Sequence, residues 1–395
     1  MGKVKELLME MEEHGYEILT KGEKYVCPYH FEDNYLNQYI EKHGETGVCS
    51  YCGRKGTVID MSDLANHIVM TISINFNDID SEYLPFASSY FDDEEVQIPG
   101  IKQVGCYAVP ENADVYEGTF EMMEELGLHT DCDSLNDDID HLFENKTWIK
   151  KDPYELWLNQ KKELQWKRFS KMVKHSRRFT FLAMSRVAGS DNILEDLGAI
   201  LRDTDGILHT ITTGTTLYRT RSLDKGIDDS FGFNDITSAP DVYAGQCRMS
   251  PAGVSMFYGA FDIETAVDES IKTANEKVLA IGEFKTIREL TVVDLTVLPT
   301  DVSIWMDEWN AISFLNSFHK DITRPLLNDA KEAIEYVPSQ IFTEYLRWMF
   351  TDKKGRNIDG LLYKSSKTNK ANVVLFCNNE NSHNWVKLEN LSTRK

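Results

Sequence analysis

Apolar and polar residues follow different patterns in the two halves of the chain. In the first half, apolar residues recur at helical intervals, which predicts amphipathic helices. These predicted helices cover residues 3–14, 58–76, 112–128 and 134–144. A longer helix is predicted from Pro153 toward residue 175, because Asp152 can cap it and proline is tolerated at the first helical position. We therefore expect the first 185 residues to be mostly helical.

The second half contains short apolar runs of strand length that are rich in β-branched and aromatic residues. These runs are TTLYRT (215–220), SMFYGA (255–260), KVLAIGEF (277–284), LTVVDL (290–295), GLLYKS (360–365) and NVVLFC (372–377). Helical patterns over residues 264–276 and 304–320 interrupt them. Strands mixed with helices in this way predict an α+β domain.

The two patterns and the length of 395 residues predict a multidomain chain, at roughly 100–200 residues per domain. The predicted parts are an N-terminal region (1–60), a helical domain (61–187), a connector (188–206) and the α+β domain (207–395).

The distribution of charge adds a second division. The formal net charge is −22, which disfavours a protein that mainly wraps nucleic acid or lies on anionic lipid. Residues 76–145 hold 19 acidic side chains and one basic one, whereas residues 146–188 hold 12 basic and three acidic ones. No apolar run reaches the roughly 18–20 residues that span a bilayer. The number of cysteines, seven, is odd, which argues against a disulfide framework. Together, these observations lead us to expect a cytoplasmic protein without membrane contact.

Four metal-binding side chains lie in two close pairs near the N-terminus. Cys27 and His30 form one pair, and Cys49 and Cys52 form the other after an 18-residue gap. Two such pairs can supply the four ligands of a tetrahedral Zn²⁺. Four protein ligands leave no open position, so this site is predicted to be structural. The alternatives are a redox dithiol at Cys49 and Cys52, unrelated reduced cysteines, or His43 in place of His30.

Bases and aromatic residues cluster on and just after the long predicted helix. They are Trp157, Trp166, Lys167, Arg168, Lys171, Lys174, His175, Arg177 and Arg178. Such interleaving is one mark of nucleic-acid binding, and the R-x₆-H spacing of Arg168 and His175 loosely resembles the motif of HEPN ribonucleases. The structural interpretation is that Trp157, Phe169 and Val173 face a core, while the bases are solvated or dock on the acidic segment.

Four short blocks in the second half carry further candidate chemistry. They are LYRTR (217–221), CRMSPAG (247–253) with the strand that follows it, DIETAVDE (262–269), and DGLLYKSS (359–366) with ANVVLF (371–376). Arginines in strands or tight loops are costly unless paired, so they suggest a phosphate, pyrophosphate or carboxylate partner. The alternative is a structural bridge from Arg219 or Arg248 to Glu269 or Asp294.

Taken in order, these blocks resemble the RES-domain family, which is named for its Arg, Glu and Ser. The resemblance covers about residues 205–380, and the positions that match the family pattern are Arg219, Arg248, Tyr258, Glu269 and Ser365. The loop departs from the usual pattern, with Cys247 for glycine, Met249 for the aromatic residue and Ser250 for asparagine. The N-terminal Cys/His pairs and helical region resemble the HEPN-like extension of some RES domains.

The resemblance implies a fold similar to ADP-ribosyltransferases and an enzyme that consumes NAD⁺. It implies a phosphorylase or glycohydrolase that cleaves the nicotinamide–ribose bond, most readily by phosphorolysis, in a toxin or phage-defence effector. The alternatives are an ADP-ribosyltransferase acting on protein or nucleic acid, and a HEPN-type ribonuclease or RNA-binding effector that uses the basic helix. The expected partners are NAD⁺, inorganic phosphate, and an antitoxin or regulatory protein.

The resemblance also implies a role for each matching residue. Glu269 would stabilise the ribose in the transition state, Arg219 would bind phosphate, and Ser365 would hydrogen-bond the ribose or a phosphate. Arg248 would bind pyrophosphate or the incoming phosphate, and Tyr258 would stack on nicotinamide or adenine. Tyr218 and Arg221 are further candidates for substrate binding, with Arg221 an alternative to Arg219 and Ser366 an alternative to Ser365.

Overall fold

The computed structural model divides the chain into two compact units. The first contains Met1–Trp157 with Asp301–Asn310, and the second contains Leu158–Thr300 with Ala311–Lys395. The described residues are 21–80, 84, 100–128, 130–141, 146–180, 192–223, 227, 230–270, 278–326 and 331–394. The helix predicted over residues 3–14 lies outside them.

Helices and strands are numbered separately along the described residues. The helices are α1 (Asn34–His43), α2 (Met61–Asn75), α3 (Thr119–Glu125), α4 (Asp133–Asp140), α5 (Leu158–His175), α6 (Ile193–Asp203), α7 (Phe233–Ile236), α8 (Ile263–Ser270), α9 (Trp309–Thr323), α10 (Glu332–Glu335) and α11 (Val337–Trp348). The strands are β1 (Tyr25–Val26), β2 (Glu45–Val48), β3 (Lys55–Asp60), β4 (Phe76–Asp78), β5 (Ile101–Val104), β6 (Tyr107–Pro110), β7 (Val115–Tyr116), β8 (Trp148–Lys150), β9 (Leu208–Ile211), β10 (Thr216–Leu223), β11 (Phe257–Ala260), β12 (Val278–Thr286), β13 (Leu290–Asp294), β14 (Gly360–Lys364), β15 (Ala371–Leu375) and β16 (Val386–Arg394). None of the helices in the described ranges has the length and apolar character needed to cross a membrane.

The first unit combines helices with small sheets. Its strands form the sheets β1-β3-β2 and β4-β8-β7 and the hairpin β5-β6. The apolar face of α2 lies in the centre of the core, where Leu64 and Ile68 are fully buried among residues of α1, α3 and α4. The prediction of a mostly helical first half is therefore correct only in part. The strands were not predicted, because most of them are too short to show a clear period-2 pattern.

The second unit is built on an eight-stranded mixed sheet in the order β16-β12-β10-β11-β15-β14-β13-β9. Its neighbouring strands are antiparallel except for β13 and β14, which are parallel. Both faces of the sheet are covered. Leu361 and Val374 belong to a core that includes α5, α6, α9 and α11, whereas their neighbours Leu362 and Val373 belong to the core on the opposite face. Burial on both faces explains why these strands are continuous apolar runs rather than alternating ones.

The long helix begins later than its sequence signals predict. α5 begins at Leu158, so Pro153 is not its first residue, and Asp152 instead accepts a turn hydrogen bond from the Glu155 amide at 3.3 Å. The apolar side of α5 decides where it lies, because Trp166, Phe169 and Val173 are buried in the core of the second unit. The helix predicted over 304–320 is also displaced and runs from Trp309 to Thr323.

The packing of α6 against α11 predicts an unusual response to a glycine-to-alanine substitution. Gly198 lies inside α6, where alanine normally stabilises a helix by about 0.5–1 kcal/mol. Here the added Cβ would lie 2.1 Å from Tyr345 Oη. We expect Gly198→Ala to destabilise the protein by about 1–3 kcal/mol, as overpacking does, measured as a lower midpoint in thermal or urea unfolding.

Two controls separate the clash from a general effect of substitution. Tyr345→Phe removes the clashing oxygen, so the double variant Gly198→Ala/Tyr345→Phe should recover most of the stability that Gly198→Ala loses. Ala199 is exposed on the same helix, so Ala199→Gly should cost only the usual roughly 0.5–1 kcal/mol. A Gly198→Ala variant as stable as the parent would contradict the packing described.

Candidate active site and candidate metal centre

A cavity of about 500 Å³ opens at the sheet of the second unit, and we call it the first cavity. It lies where two neighbouring strands separate. β10 pairs with β12 along its length, but within the described residues it pairs with β11 only at Tyr218 and Ala260. The rest of the wall comes from α8, the loop before β11, the ends of β14 and β15, and four residues between α9 and α11, namely Pro325, Leu326, Glu332 and Tyr336.

Glu269 supplies the carboxylate of the first cavity. It lies on α8, whose first turn is held by Asp262, since the Thr265 amide donates to Asp262 Oδ1 at 3.0 Å. Glu269 Oε1 accepts hydrogen bonds from Ser365 Oγ at 2.6 Å and from Asn372 Nδ2 at 2.8 Å. No donor from the described part of the chain reaches Oε2. One oxygen is therefore fixed by the protein, and the other is available to a ligand.

The hydroxyl of Ser365 is fully used within the protein. It donates to Glu269 and accepts from the amides of Lys367 at 3.1 Å and Thr368 at 3.2 Å. A hydroxyl has one proton and two lone pairs, so these three bonds account for all of them. Ser365 is only 4% exposed, and the neighbouring Ser366, not Ser365, lies on the wall of the first cavity.

Arg219 lies on β10, on the wall of the first cavity, and is held by carbonyl groups. Its Nε donates to the carbonyls of Ile236 and Thr237, both at 3.1 Å, and its Nη1 donates to the carbonyl of Tyr258 at 2.8 Å. Burial lowers the pKa of Arg219 from its usual value. Its Nη2 has no acceptor among the described residues, so the planar guanidinium keeps donors for a ligand.

Arg248 also lines the first cavity, in a loop that side chains of α11 hold by hydrogen bonds. Its Nη1 donates to the Ile322 carbonyl at 3.0 Å, and its guanidinium lies 4.7 Å from the centre of the Tyr336 ring. Ser339 Oγ donates to the Arg248 carbonyl at 2.6 Å, and Gln340 Nε2 donates to the Cys247 carbonyl at 2.8 Å. The loop conformation is thus set by side chains from a helix about 90 residues later.

The two arginines of the first cavity have no carboxylate partner in the described ranges of the chain. Neither Arg219 nor Arg248 lies within 4.0 Å of an acidic oxygen there, and Glu269 is hydrogen-bonded to neutral groups only. The structural bridge to Glu269 or Asp294 that the sequence allowed is therefore absent from these residues. Partly buried cations without counter-ions are costly, and an anionic ligand would relieve that cost.

Aromatic side chains complete the wall of the first cavity. Tyr218, Tyr258, Tyr336 and Tyr363 all line it. The Tyr258 hydroxyl lies 2.8 Å from Ser250 Oγ, and burial raises the pKa of Tyr258 well above its usual value. Burial and the nearby Glu269 also raise the pKa of Tyr363. The phenols of Tyr258 and Tyr363 are therefore neutral near pH 7, and the aromatic wall offers flat faces to a ligand.

The first cavity brings together most of the residues that the sequence singled out. Arg219, Arg248, Tyr218, Tyr258, Glu269 and Ser366 line it. Arg221 does not; it is exposed, and its Nη1 donates to the Asp235 carbonyl. Asn372, Tyr336 and Tyr363 were missed. The sequence signal for Asn372 was a polar residue at the start of an apolar strand. The structure shows that its side chain is only 4% exposed.

The two Cys/His pairs meet in the first unit. The four ligand atoms of Cys27, His30, Cys49 and Cys52 all lie within 4.8 Å of one another. Cys27 Sγ is 3.6 Å from Cys52 Sγ, and Cys49 Sγ is 3.4 Å from His30 Nε2. His43 lies apart from this cluster, with its ring centre 4.5 Å from that of Tyr39. This arrangement could hold a metal ion.

The surroundings of the cluster suit thiolate ligands. Burial opposes ionisation of Cys49, but the backbone amides of Cys52 and Tyr51 and the side chain of His30 lower its pKa to about 6. Gly53 adopts a φ of +70°, which favours glycine and closes the turn after Cys52. On the other side, His30 Nδ1 lies 3.7 Å from Asp131 Oδ1, in the position of an outer carboxylate that orients a histidine ligand.

The basic helix is partly a packing element of the second unit. Trp166 is 3% exposed, and its Nε1 donates to Asp321 Oδ2 at 2.8 Å. Lys174 pairs with Glu335 at 2.8 Å. Arg168 and His175 are both exposed, about two turns apart on α5. The structural interpretation therefore accounts for the aromatic residues and for part of the basic charge.

Two family models match the chain. The model of HEPN/RES N-terminal domain 1 matches residues 42–187, and the RES domain model matches residues 216–389. Comparisons with the curated proteins and with the solved structures found no match. All residues that line the first cavity fall inside the RES match. The chain therefore contains a RES domain, with a HEPN/RES N-terminal domain ahead of it.

Proposed function

We propose that this protein degrades NAD⁺ by breaking the bond between nicotinamide and ribose. A RES domain supports an NAD⁺-related, toxin-type function in general terms. The observation that carries the proposal is the first cavity, whose wall contains one oriented carboxylate and two arginines that have no carboxylate partner in the described residues. Its volume of about 500 Å³ is within the range of small-molecule sites.

The proposed chemistry follows from the charges. Breaking the bond between nicotinamide and ribose develops positive charge on the ribose, as in glycoside hydrolysis. Glu269 Oε2 would stabilise that charge, because Ser365 and Asn372 already hold Oε1. Arg219 and Arg248 would bind the pyrophosphate and orient the dinucleotide. Nicotinamide leaves as a neutral molecule with the electron pair of the broken bond, so no acid is needed to protonate it.

The acceptor completes the reaction, and we propose inorganic phosphate. A phosphate oxygen would form a new bond to the ribose carbon as the bond to nicotinamide breaks. Arg248 also lies on the wall of the first cavity and could bind that phosphate. With a macromolecular acceptor, the same site would transfer ADP-ribose. We also expect the fold of this domain to resemble that of ADP-ribosyltransferases. In a cell, loss of NAD⁺ would make the protein a toxin or a phage-defence effector.

The first test is NAD⁺ consumption by the full chain and by Glu269→Gln. We expect the variant to lose at least about 100-fold in kcat, the usual cost of removing one electrostatic contact to a transition state. Products are identified by mass spectrometry, with and without phosphate: phosphorolysis gives a phosphorylated ADP-ribose, and hydrolysis gives ADP-ribose.

The matched control is Glu264→Gln, which removes an exposed acid from the same helix. Glu264 pairs with Arg394 outside the first cavity, so activity should be retained. The proposal fails if the unmodified protein leaves NAD⁺ intact in every buffer, or if Glu269→Gln is as active as the parent.

A second test concerns the groups that position Glu269. We expect Ser365→Ala and Asn372→Leu each to lower kcat by about 10-fold or more while KM changes little, because they hold the carboxylate rather than the substrate. Since both act on one oxygen, the double variant should lose less than the product of the two effects. The control is Ser222→Ala, at an exposed serine of β10 that lies outside both the first cavity and the hydrogen bonds of Glu269, and it should stay near the parent. If Ser366→Ala, and not Ser365→Ala, were the damaging change, the assignment of Ser365 would be wrong.

We also propose that the Cys/His cluster binds one structural zinc ion. A tetrahedron with Zn–S near 2.3 Å and Zn–N near 2.0–2.1 Å has edges of roughly 3.5–3.8 Å. The Cys27–Cys52 and Cys49–His30 distances of 3.6 and 3.4 Å are close to those edges. Because β1, β2 and β3 meet around the cluster, the metal would stabilise the start of the first unit.

Metal analysis of the purified full chain tests this proposal. We expect one zinc ion per chain, a lower thermal midpoint after removal by a chelator, and recovery when zinc is returned. Cys49→Ser and His30→Ala should lower the zinc content, whereas His43→Ala should not. Equal zinc loss in the two histidine variants would contradict the ligand set, and a metal-free protein with an unchanged midpoint would contradict the site itself.

A further inference from the structure

A second cavity, of about 860 Å³, lies beside the first and is not used by the proposed reaction. It is formed by α5, α9 and the turn between β14 and β15, all within the second unit. The two cavities share one wall, which includes Lys364, Ser366 and Lys367. The second cavity also contacts Ser365, and Ser365 donates to Glu269.

The charged side chains that line the second cavity are mainly basic. Its basic residues are Lys167, Lys320, Arg324, Lys364 and Lys367, and its acidic residues are Glu163 and Asp321. The Trp166 indole N–H donates to Asp321 at 2.8 Å, and Arg324 pairs with Glu335 at 3.3 Å. Across the described residues, no carboxylate lies within 4.0 Å of the amines of Lys167, Lys320 or Lys364. Three cations therefore remain available on its wall.

A buried histidine on the wall of the second cavity adds a further hydrogen-bond donor. His319 is only 8% exposed and lies on the wall of the second cavity. Burial, and then the charge of Lys364, lower the pKa of His319 to about 4, so its ring is neutral near pH 7. The Lys364 amide donates to His319 Nε2 at 3.3 Å, which places the ring proton on Nδ1. In the described ranges, that Nδ1–H group has no acceptor.

We propose that the second cavity binds a phosphate-bearing small molecule of mononucleotide size. Lys167, Lys320 and Lys364, which have no carboxylate partner among the described residues, and the His319 donor match the charge and the acceptor oxygens of a phosphate group. The volume of about 860 Å³ is far larger than one phosphate needs and is within the range of sites for drug-sized ligands. The apolar wall near Trp166 and Phe318 suits the remainder of such a ligand. This proposal does not depend on the reaction assigned to the first cavity.

The test is isothermal titration of the full chain with AMP, using inorganic phosphate and adenosine as partial ligands. The variant Lys167→Ala/Lys320→Ala removes two exposed lysines that line only the second cavity. Lys171→Ala is the matched control, because Lys171 is exposed one turn further along α5 and lies outside both cavities. Arg248→Gln weakens the first cavity and leaves the second unchanged.

We expect AMP affinity to fall at least about 10-fold in Lys167→Ala/Lys320→Ala and to remain in Lys171→Ala and Arg248→Gln, with adenosine and phosphate binding more weakly than AMP. The proposal is overturned if AMP does not bind at millimolar concentration, if Arg248→Gln alone abolishes binding, or if adenosine binds as tightly as AMP. Inorganic phosphate binding as tightly as AMP would overturn the inferred size. NAD⁺ consumption by the same double variant should be retained, so each proposal can fail without the other.

Discussion

The carboxylate of Glu269 joins three separate elements of the second unit. It extends from α8, accepts from Ser365 after β14 and accepts from Asn372 on β15. The same serine hydroxyl takes two amides of the turn that connects those strands. Hydrogen bonds of this kind, formed away from water and to a charged acceptor, are stronger than exposed ones. A shift in any of the three elements would therefore move the carboxylate.

The cost of desolvating charge explains the rest of the first cavity. A guanidinium that loses water must regain hydrogen bonds, and Arg219 regains them from three backbone carbonyls. Carbonyls satisfy donors without neutralising the charge, so the guanidinium keeps a positive charge that a directly paired carboxylate would neutralise. Arg248 follows the same rule, with a carbonyl and an aromatic face as its partners. The first cavity is thereby organised for an anion before any ligand arrives.

Several features were predictable from the sequence because they depend on local pattern. The apolar runs that form β10 to β15 were predicted as strands. The order of the four short blocks indicated a RES domain, and the family match confirms it. The predicted start of α5 was wrong. A cap and a proline give only a local preference, whereas the burial of Trp166 and Val173 decides where the helix lies. The strands of the first unit were missed, since most of them have only two to four residues, which are too few to show a period.

The sequence by itself determined which residue types are available for chemistry. These are the spaced Cys/His pairs, the strand arginines and the last acid of the DIETAVDE block (262–269). What only the tertiary structure decided was their use. Arg219 and Arg221 are equivalent in sequence, yet the separation of β10 and β11 places one on the wall of the first cavity and leaves the other exposed. Ser365 and Ser366 are likewise distinguished only by the turn that follows β14, because two amides of that turn donate to the hydroxyl of Ser365. Neighbouring residues in a chain can have opposite surroundings, because long-range pairing, not local pattern, fixes what each side chain meets.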